Sequence, residues 1–297
     1  MSNKILIIGA GEIGTALAEV LKNKAVVDLW DYDLSRVPDQ KPLEQTVPAA
    51  DYIFLCVPSQ AMRPVVLNIK KMLNKKTGLV CLSKGVELKT KKIMPEVLKE
   101  ILPVGQPFAM LGGPMLAGEL KTKKPGVAVL ASKNLKVFIN LQKIFSDSIV
   151  RLEITTDIVG TAWSGVLKNV YAMALGMADG LGWGANAQAW LLSECLTEME
   201  KITVIMGGKT ETVCYTAGLS DLVATGFSSL SKNRSTGEMI AKTNQYYIVG
   251  EGIVSFPAIW KRLGSKNKIF PILIMLEKIL IKHQNAAKLF EKYFRQT

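Results

Sequence analysis

The sequence predicts an α/β chain: a doubly wound parallel sheet in the N-terminal half, followed by an all-α C-terminal half. Three observations predict it. Short apolar runs bounded by glycine and proline alternate with helical patterns as far as Glu153. Beyond that point strand signals stop and helical periods fill the chain. The unusual loops "GAGEIG", "VPS", "SKG" and "GGP" each follow an apolar run, which is where open α/β sheets bind ligands. The expected division is 1–153 for the sheet domain and 154–297 for the helical one.

The elements follow in order. Lys4–Ile8 reads as a buried strand. Gly9, Gly11 and Gly14 then make G-x-G-x-x-G, and Ala16, Leu17, Val20 and Leu21 follow at helical spacing. A strand, a glycine turn and a helix in that order bring a pyrophosphate close to a helix N-terminus, so a dinucleotide is the expected cofactor. "AVVDLW" is the second strand, with Asp31 just past its end. A carboxylate there binds ribose hydroxyls, although "DYD" is also turn chemistry. Asp51–Ser59, Gly78–Glu87 and Pro107–Glu119 contain the next three strands, running into Pro58-Ser59, Ser83-Lys84-Gly85 and Gly112-Gly113-Pro114. "PGVAVLAS" and "IVRLEIT" supply two more, with helices over Met62–Leu73 and Lys91–Leu102 between strands.

The helical half opens on "WSGVLKNVYAMALGMADG", Trp163–Gly180, an apolar helix carrying Lys168 and Asn169. Gly165, Lys168, Asn169, Ala172 and Gly176 share one face, and Val166, Val170, Met173 and Met177 form a core face. A buried ammonium is costly unless it is paired or sheds its proton. The helix alone leaves two readings open: a lysine that snorkels to water, or a functional group beside an approaching backbone or ligand. A second helix runs through "AWLLSECLTEMEKITVIMGG". "TAGLSDLVATGFSSLSKNRSTG" reads as a helix start and a polar loop. The C-terminal "EKILIKHQNAAKLFEKYF" reads as one amphipathic helix with His283 on its surface.

Composition bounds the function. A net charge of +12 raises nucleic acid as a partner, but the lysines are scattered, with short clusters at Lys70–Lys76, Lys89–Lys92 and Lys121–Lys124 and no interleaved aromatics. A solvated lysine surface that steers anions is the expectation, with no nucleic acid bound. No apolar run is long enough to span a membrane. Glu12 and Glu19 interrupt the N-terminal run and argue against a leader peptide. Four cysteines without metal spacing predict a cytoplasmic protein with no disulfide and no metal. A single histidine excludes a His–Asp pair near the middle of the chain and a His-rich metal site.

The sequence resembles the NAD(P)-dependent sn-glycerol-3-phosphate dehydrogenases of the bacterial type. "GAGEIGTALA", "VPS", "SKGVE", "GGPMLAGE", "LKNVYAMALGMADGLGWGANA", "GLSDLVAT" and "SKNRSTG" occur in the family's order along most of the chain. The resemblance implies a Rossmann-type cofactor domain and reversible reduction of dihydroxyacetone phosphate by NAD(H), with NADP(H) possible, for phospholipid synthesis. It implies Lys168 as the acid/base, with Asp221 in its network. It implies substrate contacts from Lys84, Gly113, Asn169, Ser231, Lys232, Asn233 and Arg234. Cofactor contacts carried over are Glu12, Ile13, Pro58, Lys84, Ala117, Lys232, Val249 and Glu251, beside the glycines and Asp31. Lys168 then answers a chemical need: a new alkoxide requires a proton, and burial brings a lysine toward neutral pH while Asp221 limits the drop. A small phosphorylated substrate and a homodimer are the implied partners. The chain departs from the family pattern at Met115, at Lys232 in place of arginine, at Ser220 and at Glu194. Two other readings are a β-hydroxyacid dehydrogenase and a non-catalytic dinucleotide sensor. The first uses an asparagine four positions after its lysine, whereas here Asn169 is adjacent.

Overall fold

The computed structural model describes residues 3–246 and 250–296. The N-terminal half alternates β1 (Lys4–Ile8), α1 (Glu12–Leu21), β2 (Val26–Trp30), α2 (Leu43–Ala49), β3 (Tyr52–Leu55), α3 (Met62–Ile69), β4 (Gly78–Cys81), α4 (Met94–Ile101) and β5 (Phe108–Gly112). α5 (Ala117–Lys121), β6 (Gly126–Ser132), α6 (Leu135–Phe145) and β7 (Val150–Thr155) complete it. The strands form one sheet in the order β2-β1-β3-β4-β5-β6-β7. Strands β1 to β5 are parallel, as expected of doubly wound α/β sheets.

The sheet differs from the all-parallel expectation at one edge. β6 pairs antiparallel with β5, Ala109 opposite Ser132. The reason is local. Residues 113–125 hold only the five-residue α5, too little for a crossover that would return the chain to the same end. α6 is long enough, and β7 runs parallel to β6.

Side chains alternate across the pleat. Ile5 and Ile7 join Leu17, Phe54 and Val80 on one face. Leu6, Ile8, Ile53 and Leu55 face the other way and merge with Trp163, Val166 and Val170 from the helical half. One continuous apolar layer therefore fastens the two halves together.

That half contains α7 (Ile158–Gly180), α8 (Ala185–Ile205), α9 (Thr210–Cys214), a π-helical turn over Thr216–Ser220, α10 (Asp221–Phe227), α11 (Lys232–Thr243), α12 (Glu251–Leu263), α13 (Pro271–Leu280) and α14 (Ala286–Gln296). α7 is the axle, with every residue from Gly160 to Ala178 buried, as expected of a helix that is mostly apolar all round. Asp157 caps it, accepting from the Gly160 N–H at 2.8 Å, and ties it to α9 through Thr212 Oγ1 at 2.6 Å. Its glycines have a packing role: a Cβ at Gly176 would strike the Arg234 carbonyl, and one at Gly237 the Met173 carbonyl. α7 and α11 thus touch backbone to backbone. Two local expectations need correction. Lys232–Thr243 is helix rather than polar loop. The C-terminal helix is two helices, broken between α13 and α14 where His283 adopts φ +52° and stays exposed. Its ring packs edge-on against Tyr246 at 4.4 Å.

Candidate active site

A cleft of about 680 Å³ opens at the C-terminal ends of β1, β2, β3 and β4. Gly9 sits at φ +106°, and a side chain there would collide with the Cys56 carbonyl. A Cβ at Gly14 would strike the Gly9 carbonyl, so only glycine lets α1 start this close to the turn. Gly11, the N-cap of α1, places no side chain over the first-turn N–H groups. These are the free donors that a pyrophosphate needs. Asp31 lines the cleft, its carboxylate accepting from the Ala10 N–H at 2.6 Å and the Asp33 N–H at 2.9 Å. Ile13, Pro58, Ala117 and Met115 line the same space. The residues present therefore fit a dinucleotide. Among the described residues no group of three metal-binding side chains exists.

At the inner end three charged groups converge. Lys168 on α7 is only 7% exposed, which rejects the snorkelling reading. Its ammonium lies 3.1 Å from Asp221 Oδ1 and donates to Thr225 Oγ1 at 2.7 Å. Lys84, from the loop after β4, meets Asp221 Oδ2 at 2.6 Å and donates to the Gly113 carbonyl at 2.9 Å. Gly165 leaves the space that the Lys84 stem occupies, 3.1 Å from where a Cβ would sit. Asn169 donates to the Lys84 carbonyl at 3.1 Å and accepts from Asn233 at 2.9 Å, and Asn233 in turn accepts from the Gly252 N–H at 2.9 Å. The π-helical turn delivers Asp221 at the head of α10, and such turns are frequent at functional sites.

The electrostatics follow from this company. Burial brings the Lys168 ammonium down to about 8, Asp221 partly opposes the drop, and Lys84 adds to it. Burial alone would raise the Asp221 carboxyl, but the Lys168 and Lys84 charges outweigh it and hold the group below its ordinary value. The result is an ionised carboxylate shared by two lysines, one of them poised near neutrality.

Lys84, Gly113, Lys168, Asn169, Asp221 and Asn233 thus come together at the inner end of the cleft. Lys232 reaches the cleft but pairs with Glu12 at 3.0 Å. Glu251 lines the cleft with its carboxylate held by Ser59, backbone N–H at 2.9 Å and hydroxyl at 2.7 Å. Two expected contacts are placed otherwise. Arg234 does not line the cleft, because its guanidinium is taken by Asp179 and Glu238. Ser231 spends its hydroxyl capping α11, accepting from the Arg234 N–H at 3.2 Å. Val249 lies outside the described residues. Thr225 was missed, although its position four residues after Asp221 puts both on one helix face.

Sequence profiles described as the NAD-dependent glycerol-3-phosphate dehydrogenase N-terminus and C-terminus match residues 34–138 and 157–291. The chain belongs to the NAD-dependent glycerol-3-phosphate dehydrogenase family. The glycerol-3-phosphate dehydrogenase [NAD(P)+] of Geobacter sulfurreducens is 36% identical, covering 97% of this chain and 96% of its own. That of Chlorobium phaeobacteroides is 33% identical, at 96% and 95% coverage. Among solved structures, glycerol-3-phosphate dehydrogenase from Coxiella burnetii superposes with a TM-score of 0.89 at 28% identity, covering 99% of each chain. The Plasmodium falciparum glycerol-3-phosphate dehydrogenase shares the fold, with a TM-score of 0.84 at 18% identity and 98% and 94% coverage. The chain is thus a member of an oxidoreductase family with an NAD(P)-binding domain. No helix among the described residues is long and apolar enough to cross a membrane.

Proposed function

We propose that the protein interconverts dihydroxyacetone phosphate and sn-glycerol 3-phosphate with NAD(H) or NADP(H), and that Lys168 moves the proton. The observation that carries the assignment is the pairing of Lys168 and Lys84 with the buried Asp221 beside a dinucleotide-shaped cleft. When bound, the reduced nicotinamide supplies the hydride. The carbonyl oxygen of the substrate then needs a proton, and the Lys168 ammonium gives it. Near pH 8 the lysine both gives and regains that proton at little cost. Asp221 keeps the ammonium charged, and Lys84 adds a second positive charge facing the developing alkoxide. Thr225, on the same helix face as Asp221, accepts a hydrogen bond from the Lys168 Nζ.

In this reading the N-terminal half binds the cofactor and the helical half the substrate, with Lys232, one of the cations lining the cleft, meeting the phosphate. Asn169 is adjacent to Lys168 and hydrogen-bonds the Lys84 carbonyl, which separates the site from the hydroxy-acid pattern. The reading extends to a cytoplasmic homodimer. The test is NADH oxidation with dihydroxyacetone phosphate. Absence of turnover with the intact, NADH-binding protein would leave the sensor alternative standing.

A further inference from the structure

The net charge of +12 is not absorbed by the catalytic centre. Part of the surplus lies at the opposite edge of the sheet. β1, β3, β4 and β5 are parallel and begin there, and the antiparallel β6 ends there at Ser132. Two adjoining hollows open along this edge. One, of about 520 Å³, is lined by Lys75, Lys76 and Lys136. The other, of about 750 Å³, is lined by Lys99, Lys133 and Lys136. All five lysines are exposed, and none of their ammonium groups is in an ion pair among the described residues. Asp51 is the one carboxylate lining either hollow, and it accepts from the Lys4 backbone N–H at 2.8 Å. Two aliphatic side chains stand out from the same edge: Val104, next to Gly105, and Leu135 are 107% and 68% exposed.

We infer that this edge docks the protein reversibly onto an anionic phospholipid surface. Clustered lysines meet lipid phosphates electrostatically, and neighbouring aliphatic side chains enter the headgroup boundary. Nucleic acid fits less well. The hollows offer no arginine fork for phosphate or base edges, Tyr52 is buried, and Phe108 is half-buried, so no ring is free to stack. The docked orientation also leaves the cleft, at the far ends of β1, β3 and β4, open to water.

The test is co-sedimentation of the full chain with vesicles of phosphatidylcholine alone, or of phosphatidylcholine and phosphatidylglycerol in equal parts. Binding is expected only to the mixed vesicles and is expected to weaken as salt rises. Charge reversal at Lys75→Glu, Lys76→Glu and Lys136→Glu together should lower partitioning roughly tenfold or more. Val104→Ser with Leu135→Ser should lower it roughly severalfold at unchanged charge. NADH turnover, which these residues do not touch, reports that each variant is folded. Equal binding to both vesicles, or none, overturns the proposal. So does unchanged binding of either variant, or a duplex DNA that is bound in preference to the mixed vesicles.

Discussion

Two of the carboxylates buried in the helical half keep opposite company. Asp221 is 2% exposed and Glu198 6%. Asp221 faces two ammonium groups. Glu198 has only neutral donors: the Ile272 N–H at 2.7 Å, the Leu273 N–H at 3.1 Å and the Tyr171 hydroxyl at 2.8 Å. Asp221 is held below its ordinary value, whereas burial pushes the Glu198 carboxyl up to about 7 against those hydrogen bonds. The difference separates chemistry from architecture. Glu198 fastens α7, α8 and the start of α13 and has no cation to control. Asp221 keeps an ammonium charged where a proton has to move.

The sharpest way to break the comparison is to remove the ammonium. Lys168→Ala should lower kcat roughly 10³-fold or more, while NADH titration of tryptophan fluorescence shows binding largely kept. Near-normal turnover at neutral pH would end the acid/base assignment. In the intact enzyme, reduction needs Lys168 protonated, so its rate should fall as pH rises through about 8, and the reverse oxidation should rise there. Asp221→Asn removes a charge that holds the lysine up. The limb should then move to lower pH, and kcat should fall roughly 10²-fold.

Glu198 should respond in stability rather than in chemistry. Glu198→Ala leaves three buried donors without their acceptor, at a cost of roughly 3 kcal/mol, read by urea unfolding. The pH dependence has a definite sign. Between its ordinary value and about 7 the folded state keeps a proton that the unfolded chain releases. Stability from this group is therefore lost as pH rises across that window. Glu198→Gln should flatten that part of the melting-temperature curve without moving the kinetic limb near pH 8. A moved limb would show that the two carboxylates are coupled.

Much of this was legible in the sequence. The glycine turn, the strand ends and the Lys168 helix each carry a local pattern whose physics is local too. The rest was set by contacts across the chain. Nothing near Arg234 in sequence reveals that Asp179 takes its guanidinium. The Gly-Ala face of α7 left room for either a backbone or a ligand, and at Gly176 it is the backbone of α11 that approaches. The direction of β6 depended on a connection too short to cross over, which is visible only once the strand ends are fixed. Thr225 was within reach, since helical spacing from Asp221 predicts it.

A third carboxylate extends the comparison to the cofactor end. Asp31 is held by two N–H groups, and the Arg36 Nη1 stands 4.0 Å away. Its charge repels a 2′-phosphate and accepts from ribose hydroxyls, so NADH should be preferred over NADPH by roughly tenfold in kcat/KM. Arg36 also lines the cleft and is the one group placed to reverse this. Arg36→Ala should widen the preference. Equal efficiency with both cofactors in the unaltered enzyme would mean that Arg36 clamps the phosphate.

The smallest effect is expected from the most exposed of the four carboxylates compared. The Glu12 side chain is 66% exposed, and its one cation is Lys232 at 3.0 Å, reached across the cleft from α11 to α1. A pair this open to water is weak. It nevertheless competes with the substrate phosphate for Lys232, and it places a negative charge at the helix N-terminus that a pyrophosphate needs. Glu12→Gln should therefore lower the KM for dihydroxyacetone phosphate roughly two- to fivefold with kcat little changed. The gain should vanish at high salt, where the pair is already screened. Lys232→Ala should act in the opposite direction, raising the KM for dihydroxyacetone phosphate far more than for unphosphorylated dihydroxyacetone. A higher KM in Glu12→Gln would reverse the argument. Glu12 would then be holding Lys232 in its productive place, and company would matter even for a carboxylate in water.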